Sequence, residues 1–136
     1  MQVIRSSIII ATLITNLLSQ DFECKVDDRI LYGIACIEKH KKRPVGYPYI
    51  ISLNNEKDQK KAKTFVEIKD LFLDSRTLDC DNQERCVKVF NFLLSKGIKN
   101  LDNGGFQLNN LYWEVEQVAD YFDPYKSYLK ACEIVQ

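Results

Sequence analysis

The 136 residues carry 19 basic and 19 acidic side chains and one histidine, a formal charge of zero at neutral pH. All of the acids and all but one of the bases lie beyond Arg5, leaving the later part of the chain one acid in excess. That balance excludes nucleic-acid binding by bulk electrostatics.

The chain opens with Arg5 and an apolar run from Ile8 to Leu18, interrupted by two threonines and an asparagine. A transmembrane helix needs about 20 apolar residues, so this run is too short to span a bilayer comfortably. Residues 1–20 read as a signal peptide, or as an N-terminal anchor if they are retained. The remaining residues, 21–136, suit one domain with one core. They are expected to be exported, to the periplasm or cell envelope, touching a membrane only through an uncleaved N-terminal segment. Five cysteines in a short exported chain imply a disulfide framework with one thiol left over. Cys80 and Cys86, which enclose the polar loop DNQER, are the first pair. Cys24 and Cys132 are candidates to tie the domain's two ends, although spacing does not fix connectivity. Cys36, among Ile34, Ala35 and Ile37, reads as a small buried hydrophobe. A single histidine and no C-x-x-C pair argue against a metal site.

A first helix is predicted from about Asp28 to Lys39, capped by Asp27 or Asp28, with Ile30, Ile34 and Ile37 at helical spacing. The basic run His40 to Arg43, with His40 facing solvent, leads to Pro44 and Gly46, which end helical tendency. Tyr49 to Leu53 reads as a strand, Asn54 to Lys63 as a charged turn, and Thr64 to Ile68 as the partner strand of a hairpin. After Cys80, the residues Cys86, Val89, Phe90, Leu93 and Leu94 form one apolar helical face, with Gly97 placed as a C-terminal cap. Leu111 to Phe122 reads as a short helix. Asp123 and Pro124 then open a last one, carrying Tyr128, Leu129 and Cys132 inward. The fold class is α+β, mainly helical, with a small β-hairpin inserted after the first helix.

Two features carry chemistry. Glu38 closes the first helix, where the negative end of the helix dipole disfavours a carboxylate. Partial burial would raise its pKa further, as a general acid for glycosidic cleavage requires. Far downstream, Asn100 to Asn109 reads NLDNGGFQLN, with two adjacent glycines suited to a tight turn, then Phe106 and Gln107. Together they suggest a groove for a polar polymer with one acid placed to protonate it.

IACIE at Ile34 to Glu38, GYPYI at Gly46 to Ile50, NLDNGGFQLN and the Asp123–Pro124 pair follow in order. From Ile34 onward the chain thereby resembles the lytic transglycosylases of the lysozyme superfamily, in the branch with a hairpin insert. The resemblance implies a lysozyme-like domain acting on peptidoglycan glycan strands, with no cofactor and no metal. Glu38 would be the sole catalytic acid and base, forming a 1,6-anhydro product. Gln107 would contact the glycan, Phe106 and Tyr49 would line the groove, and Asp102 would accept backbone hydrogen bonds in the signature turn. A secretion or conjugation apparatus is the implied partner. The chain departs from the family pattern at Lys39 (usually serine), Tyr49 (usually tryptophan) and Gly105 (usually larger). The family also continues past Gln136 with a tyrosine-bearing helical segment. The alternative is therefore a truncated or non-catalytic lysozyme-like cell-wall binding or scaffold protein.

Overall fold

The computed structural model describes residues 22–136; the expected export segment lies outside them. Helix α1 spans Asp28–Glu38, and the Asp27 carboxylate caps it by accepting from the backbone N–H of Arg29 at 2.8 Å. Its buried face carries Leu31 and Ala35, with Ile34 half-buried beside them. Ile30 and Ile37 are instead 52% and 81% exposed, and Cys36 is an exposed free thiol rather than a buried one. The apolar stripe at Ile30, Ile34 and Ile37 is thus offset from the face that meets the core.

Strand β1, Ile50–Leu53, is buried along its whole length and is central to the sheet. The charged stretch after it is helix α2, Glu56–Ala62, not a turn. Asn55 caps it through the N–H groups of Lys57 and Asp58, with Glu56 and Asp58 in its first turn and Lys60 and Lys61 in its last, in accord with the helix dipole. Only Ala62 among its residues is buried, so no apolar period announces it.

Thr64 to Ile68 is not the partner strand. It runs through successive turns, with Phe65 stacked edge-on against Phe92 and Ile68 sunk in the core. After a 3₁₀ turn at Lys69–Leu71, the real partner is β2, Thr77–Asp79, which pairs antiparallel with β1, Ile51 opposite Leu78. Helix α3, Gln83–Ser95, starts at an Asn82 cap and is followed by Gly97 at φ +79°. That glycine stands where the left-handed conformation ends a helix.

The signature segment is itself a hairpin: β3, Leu101–Asn103, and β4, Leu108–Asn109. Strand β3 pairs with the other side of β1, giving a four-stranded antiparallel sheet in the order β2-β1-β3-β4. The helix expected from Leu111 is reduced to a 3₁₀ segment at Val118–Phe122. The N–H of Leu111 bonds the Asn109 side chain, those of Tyr112 and Trp113 bond the Asn109 carbonyl, and the chain turns there instead of propagating a helix. Helix α4, Pro124–Val135, begins at Asp123 as expected, the cap accepting from the N–H groups of Tyr125 and Lys126.

The architecture of the described residues is therefore α+β: four α-helices around a small antiparallel sheet, with one core formed by residues such as Leu31, Ile51, Leu78, Leu93 and Phe122. Leu129 is only half-buried on α4, whereas Cys132 is fully buried. Both disulfides join the expected cysteines, Cys24 to Cys132 and Cys80 to Cys86, and fit an oxidising environment. No helix among the described residues is long and apolar enough to cross a membrane.

Candidate functional site

Helix α1 ends at the mouth of a cleft of about 230 Å³, whose walls come from four separate stretches of chain. The end of α1 supplies Glu38, Lys39 and His40, and β1 supplies Ser52. The β2 region supplies Asp74, Arg76 and Thr77, and the turn of the β3–β4 hairpin supplies Gln107. Sequence order separates these residues widely; antiparallel pairing of β1 with both β2 and β3 brings them together.

Glu38 as a residue is open to solvent, yet its carboxyl loses part of its hydration within the cleft. That desolvation, followed by the negative charge of Asp102, raises its pKa above the ordinary glutamate value, and the Arg76 guanidinium partly opposes the rise. The expected direction is present, and its first cause is loss of hydration in the cleft.

The other two carboxylates nearby are occupied. Asp102 accepts from Arg76 Nη2 at 3.0 Å and from Asn109 Nδ2 at 2.8 Å, so its partners are side chains and not the backbone groups expected of a turn aspartate. Arg76 Nη2 also reaches Asn54 Oδ1 at 2.5 Å. Asp74 pairs with His40 Nε2 at 2.7 Å and accepts from the N–H groups of Arg76 and Thr77 at 2.8 Å each. Burial acts to raise the Asp74 pKa, but these hydrogen bonds and the His40 charge outweigh it and bring the group down to about 2. His40 is accordingly not a solvent-facing residue: its side chain is 8% exposed. Its Nδ1 accepts from the N–H of Lys42 at 3.1 Å, which fixes Nε2 as the donor to Asp74 in the neutral ring. The basic run is likewise tied down, Lys42 Nζ to the Leu73 carbonyl at 2.8 Å and Arg43 to Asp79.

Gln107 holds φ +51°, an uncommon conformation for a residue with a side chain. Its N–H and its Nε2 both donate to the Gly104 carbonyl, at 3.1 and 2.9 Å, so the side-chain carbonyl is the group left to accept from a ligand. The turn needs its glycines. A Cβ on Gly104, at φ +76°, would stand 2.0 Å from the Tyr121 carbonyl oxygen, and one on Gly105 would stand 2.6 Å from that of Gly46.

Glu38 and Gln107 are thus brought together, but Tyr49 and Phe106 are not among the residues lining the cleft. The Tyr49 ring packs edge-on against Tyr47 at 5.5 Å, and Phe106 packs against Tyr128 at 6.4 Å; both lean on the core. Ser52 and Thr77 escaped sequence reasoning. Their buried hydroxyls lie 3.1 Å apart at the cleft floor, in strands whose polar members carried no motif. A larger cavity of about 500 Å³ lies elsewhere, lined by Phe22, Val115, Leu129 and the acids around them, and shares no residue with the cleft. The smaller one has the chemistry: an unpaired acid with a raised pKa, a hydroxyl floor and a free amide carbonyl. No protein-family model, curated protein or solved structure matches this chain.

Proposed function

We propose that the domain is a lysozyme-like peptidoglycan lytic transglycosylase of the cell envelope, acting through Glu38 alone. One observation carries this reading: the cleft holds a single unengaged carboxyl of raised pKa, while Asp74 is taken up by hydrogen bonds from His40 and backbone N–H groups and Asp102 by Arg76 and Asn109. Most glycosidases need a second free carboxylate as nucleophile or base. A reaction in which the substrate supplies its own nucleophile does not. Glu38 would give its proton to the glycosidic oxygen as the bond from the muramyl C1 breaks. The muramyl 6-hydroxyl would then bond to that C1 and return its proton to Glu38, so no water is consumed and the product is a 1,6-anhydro sugar. Gln107 would accept from a sugar N–H or O–H beside the scissile bond. A secretion or conjugation apparatus is the partner such local wall opening would serve.

The test is a digest of purified peptidoglycan analysed by mass spectrometry. Anhydro-muropeptides are expected; products with ordinary reducing ends would mean a hydrolase and overturn the single-acid scheme. In Glu38→Gln, which keeps shape and removes the acid, turnover should fall ~10²–10⁴-fold while glycan binding persists. A second reading, a non-catalytic wall-binding scaffold, is favoured by the placement of Tyr49 and Phe106 outside the cleft. It predicts binding with intact glycan in the same digest.

A further inference from the structure

The two ends of α1 are held differently. Its first half meets α4 and the core: the Tyr128 hydroxyl bonds the Asp28 carboxylate, and Leu31 is fully buried. Beyond the buried Ala35 the helix is exposed at Cys36, Ile37 and Glu38. No basic side chain stands in its last turn, and the chain leaves at Lys39 in an extended conformation rather than through a left-handed glycine. A helix end whose last carbonyls lack a cap is prone to fray. This end carries the acid of the cleft. A tie lies two residues further on. The His40 ring donates from Nε2 to Asp74 at 2.7 Å and accepts at Nδ1 from the N–H of Lys42 at 3.1 Å, so both of its nitrogens are committed. Through its other oxygen, Asp74 accepts from the N–H groups of Arg76 and Thr77 at the head of β2. One carboxylate thus joins the chain leaving α1 to the strand that forms another wall of the cleft. Lys42 Nζ on the Leu73 carbonyl, at 2.8 Å, ties the same two segments again.

We propose that His40 and Asp74 form a brace that positions Glu38, clamping the uncapped end of α1 to the head of β2 and so fixing the acid relative to Gln107 and the Ser52–Thr77 hydroxyls. The proposal rests on the reading of the cleft for what Glu38 does there, but not for how Glu38 is held. His40 and Asp74 are positioning residues and act through Glu38. The linkage is short enough to work: two residues of chain span at most about 7 Å, so a ring fixed at His40 leaves the Glu38 backbone little room. The ring is also well placed to be fixed, since its side chain is almost wholly buried although its neighbours Lys39 and Lys41 are exposed. Precision matters here because a displacement of about 1 Å at a reacting group can cost ~10²-fold in rate.

The test compares the parent domain with His40→Ala, Asp74→Asn and His40→Gln. Asparagine at 74 keeps one oxygen for the two backbone N–H groups and turns an amide N–H toward the His40 donor, so only the brace is broken. Glutamine at 40 keeps a donor for Asp74 and should behave like the parent. In the two broken variants the amides of Ala35 to Glu38 should exchange with solvent about tenfold faster, the loss of one hydrogen bond to a charged group. Those of Val89 to Leu93 in α3 should not change. The Glu38 carboxyl, followed by carbon NMR, should titrate closer to the ordinary 4.5 as it swings into water. On peptidoglycan kcat should fall ~10²-fold with KM nearly unchanged, because Gln107 and the hydroxyls stay in place. Combining His40→Ala with Asp74→Asn should do no more than either alone. Unaltered exchange and titration in His40→Ala overturn the brace whatever the digest shows, and so does a kcat that survives in both broken variants. A parent without turnover, whose broken variants nonetheless show faster exchange and the shifted titration, removes the cleft reading and leaves the brace standing.

Discussion

At the scale of single residues the decisive group is Glu38, and its perturbation has a consequence separable from catalysis. Desolvation and the Asp102 charge raise its pKa in the folded protein above the ordinary value of 4.5. The unfolded chain therefore ionises this carboxyl more readily than the folded one does. Above the folded pKa the charge costs stability, and below the ordinary value both states are protonated and the cost is gone. Glu38→Gln should thus melt at a higher temperature than the parent at pH 7, with the difference shrinking to nothing as the pH falls below about 4.5. Thermal melts of the two proteins across that range check it; a parent as stable as the variant at pH 7 would mean that the carboxyl is not desolvated. Glu38 was legible in the sequence because a helix end and a following proline-glycine stretch locate it locally. Arg76, Ser52 and Thr77 were not. Their roles depend on strand pairing across about 25 residues, and a lone arginine or hydroxyl in sequence says nothing about what it will face.

At the scale of elements, caps and left-handed glycines could be read directly: Asp27, Gly97 and Asp123 act where their types predict. Elements without an apolar period could not. Helix α2 buries one residue and so read as a turn, while Phe65 and Ile68 looked like strand residues because inward-facing turn positions are also apolar. The glycine pair was singled out for a tight turn, but the strands on either side of it were missed, since β3 and β4 are only three and two residues long. The turn itself is the tightest packing feature of the site. Gly104 combines φ +76° with a carbonyl that would lie 2.0 Å from any Cβ. Gly104→Ala therefore forces movement of the backbone at Tyr121, next to the start of α4, and should cost roughly 3 kcal/mol or more in urea unfolding. Gly33, with nothing near its Cβ direction, is the control: Gly33→Ala should be neutral or stabilising by up to about 1 kcal/mol, because the position is helical. If both substitutions cost the same, the hairpin turn is not the constraint described.

At the scale of the whole molecule, the two cross-links act on different parts of the fold. The Cys24–Cys132 bridge, with partners 108 residues apart, ties the segment before α1 to α4. It sits beside the contacts that hold the Glu38 helix in place, such as Tyr128 with Asp28. Cys80–Cys86 closes a short loop between β2 and α3, its partners 6 residues apart. In the chain-entropy account a loop near 100 residues contributes about 4–5 kcal/mol and one of a few residues about 2. Replacing Cys24 and Cys132 by alanine, in a Cys36→Ser background that prevents thiol exchange, should therefore lower the unfolding free energy about twice as much as replacing Cys80 and Cys86. Cys80, Cys86 and Cys132 are fully buried and Cys24 only partly, so the packing loss is greater for the short bridge and works against the expected difference rather than producing it. The long bridge should also affect the site, because α1 docks on α4: its loss should weaken glycan binding by the Glu38→Gln protein, whereas loss of the short bridge should not. Equal losses of stability from the two pairs would place the bridges' effect in native packing rather than in the unfolded chain. Unchanged binding without Cys24–Cys132 would mean that the core alone, through Leu31 and Ala35, fixes the position of α1.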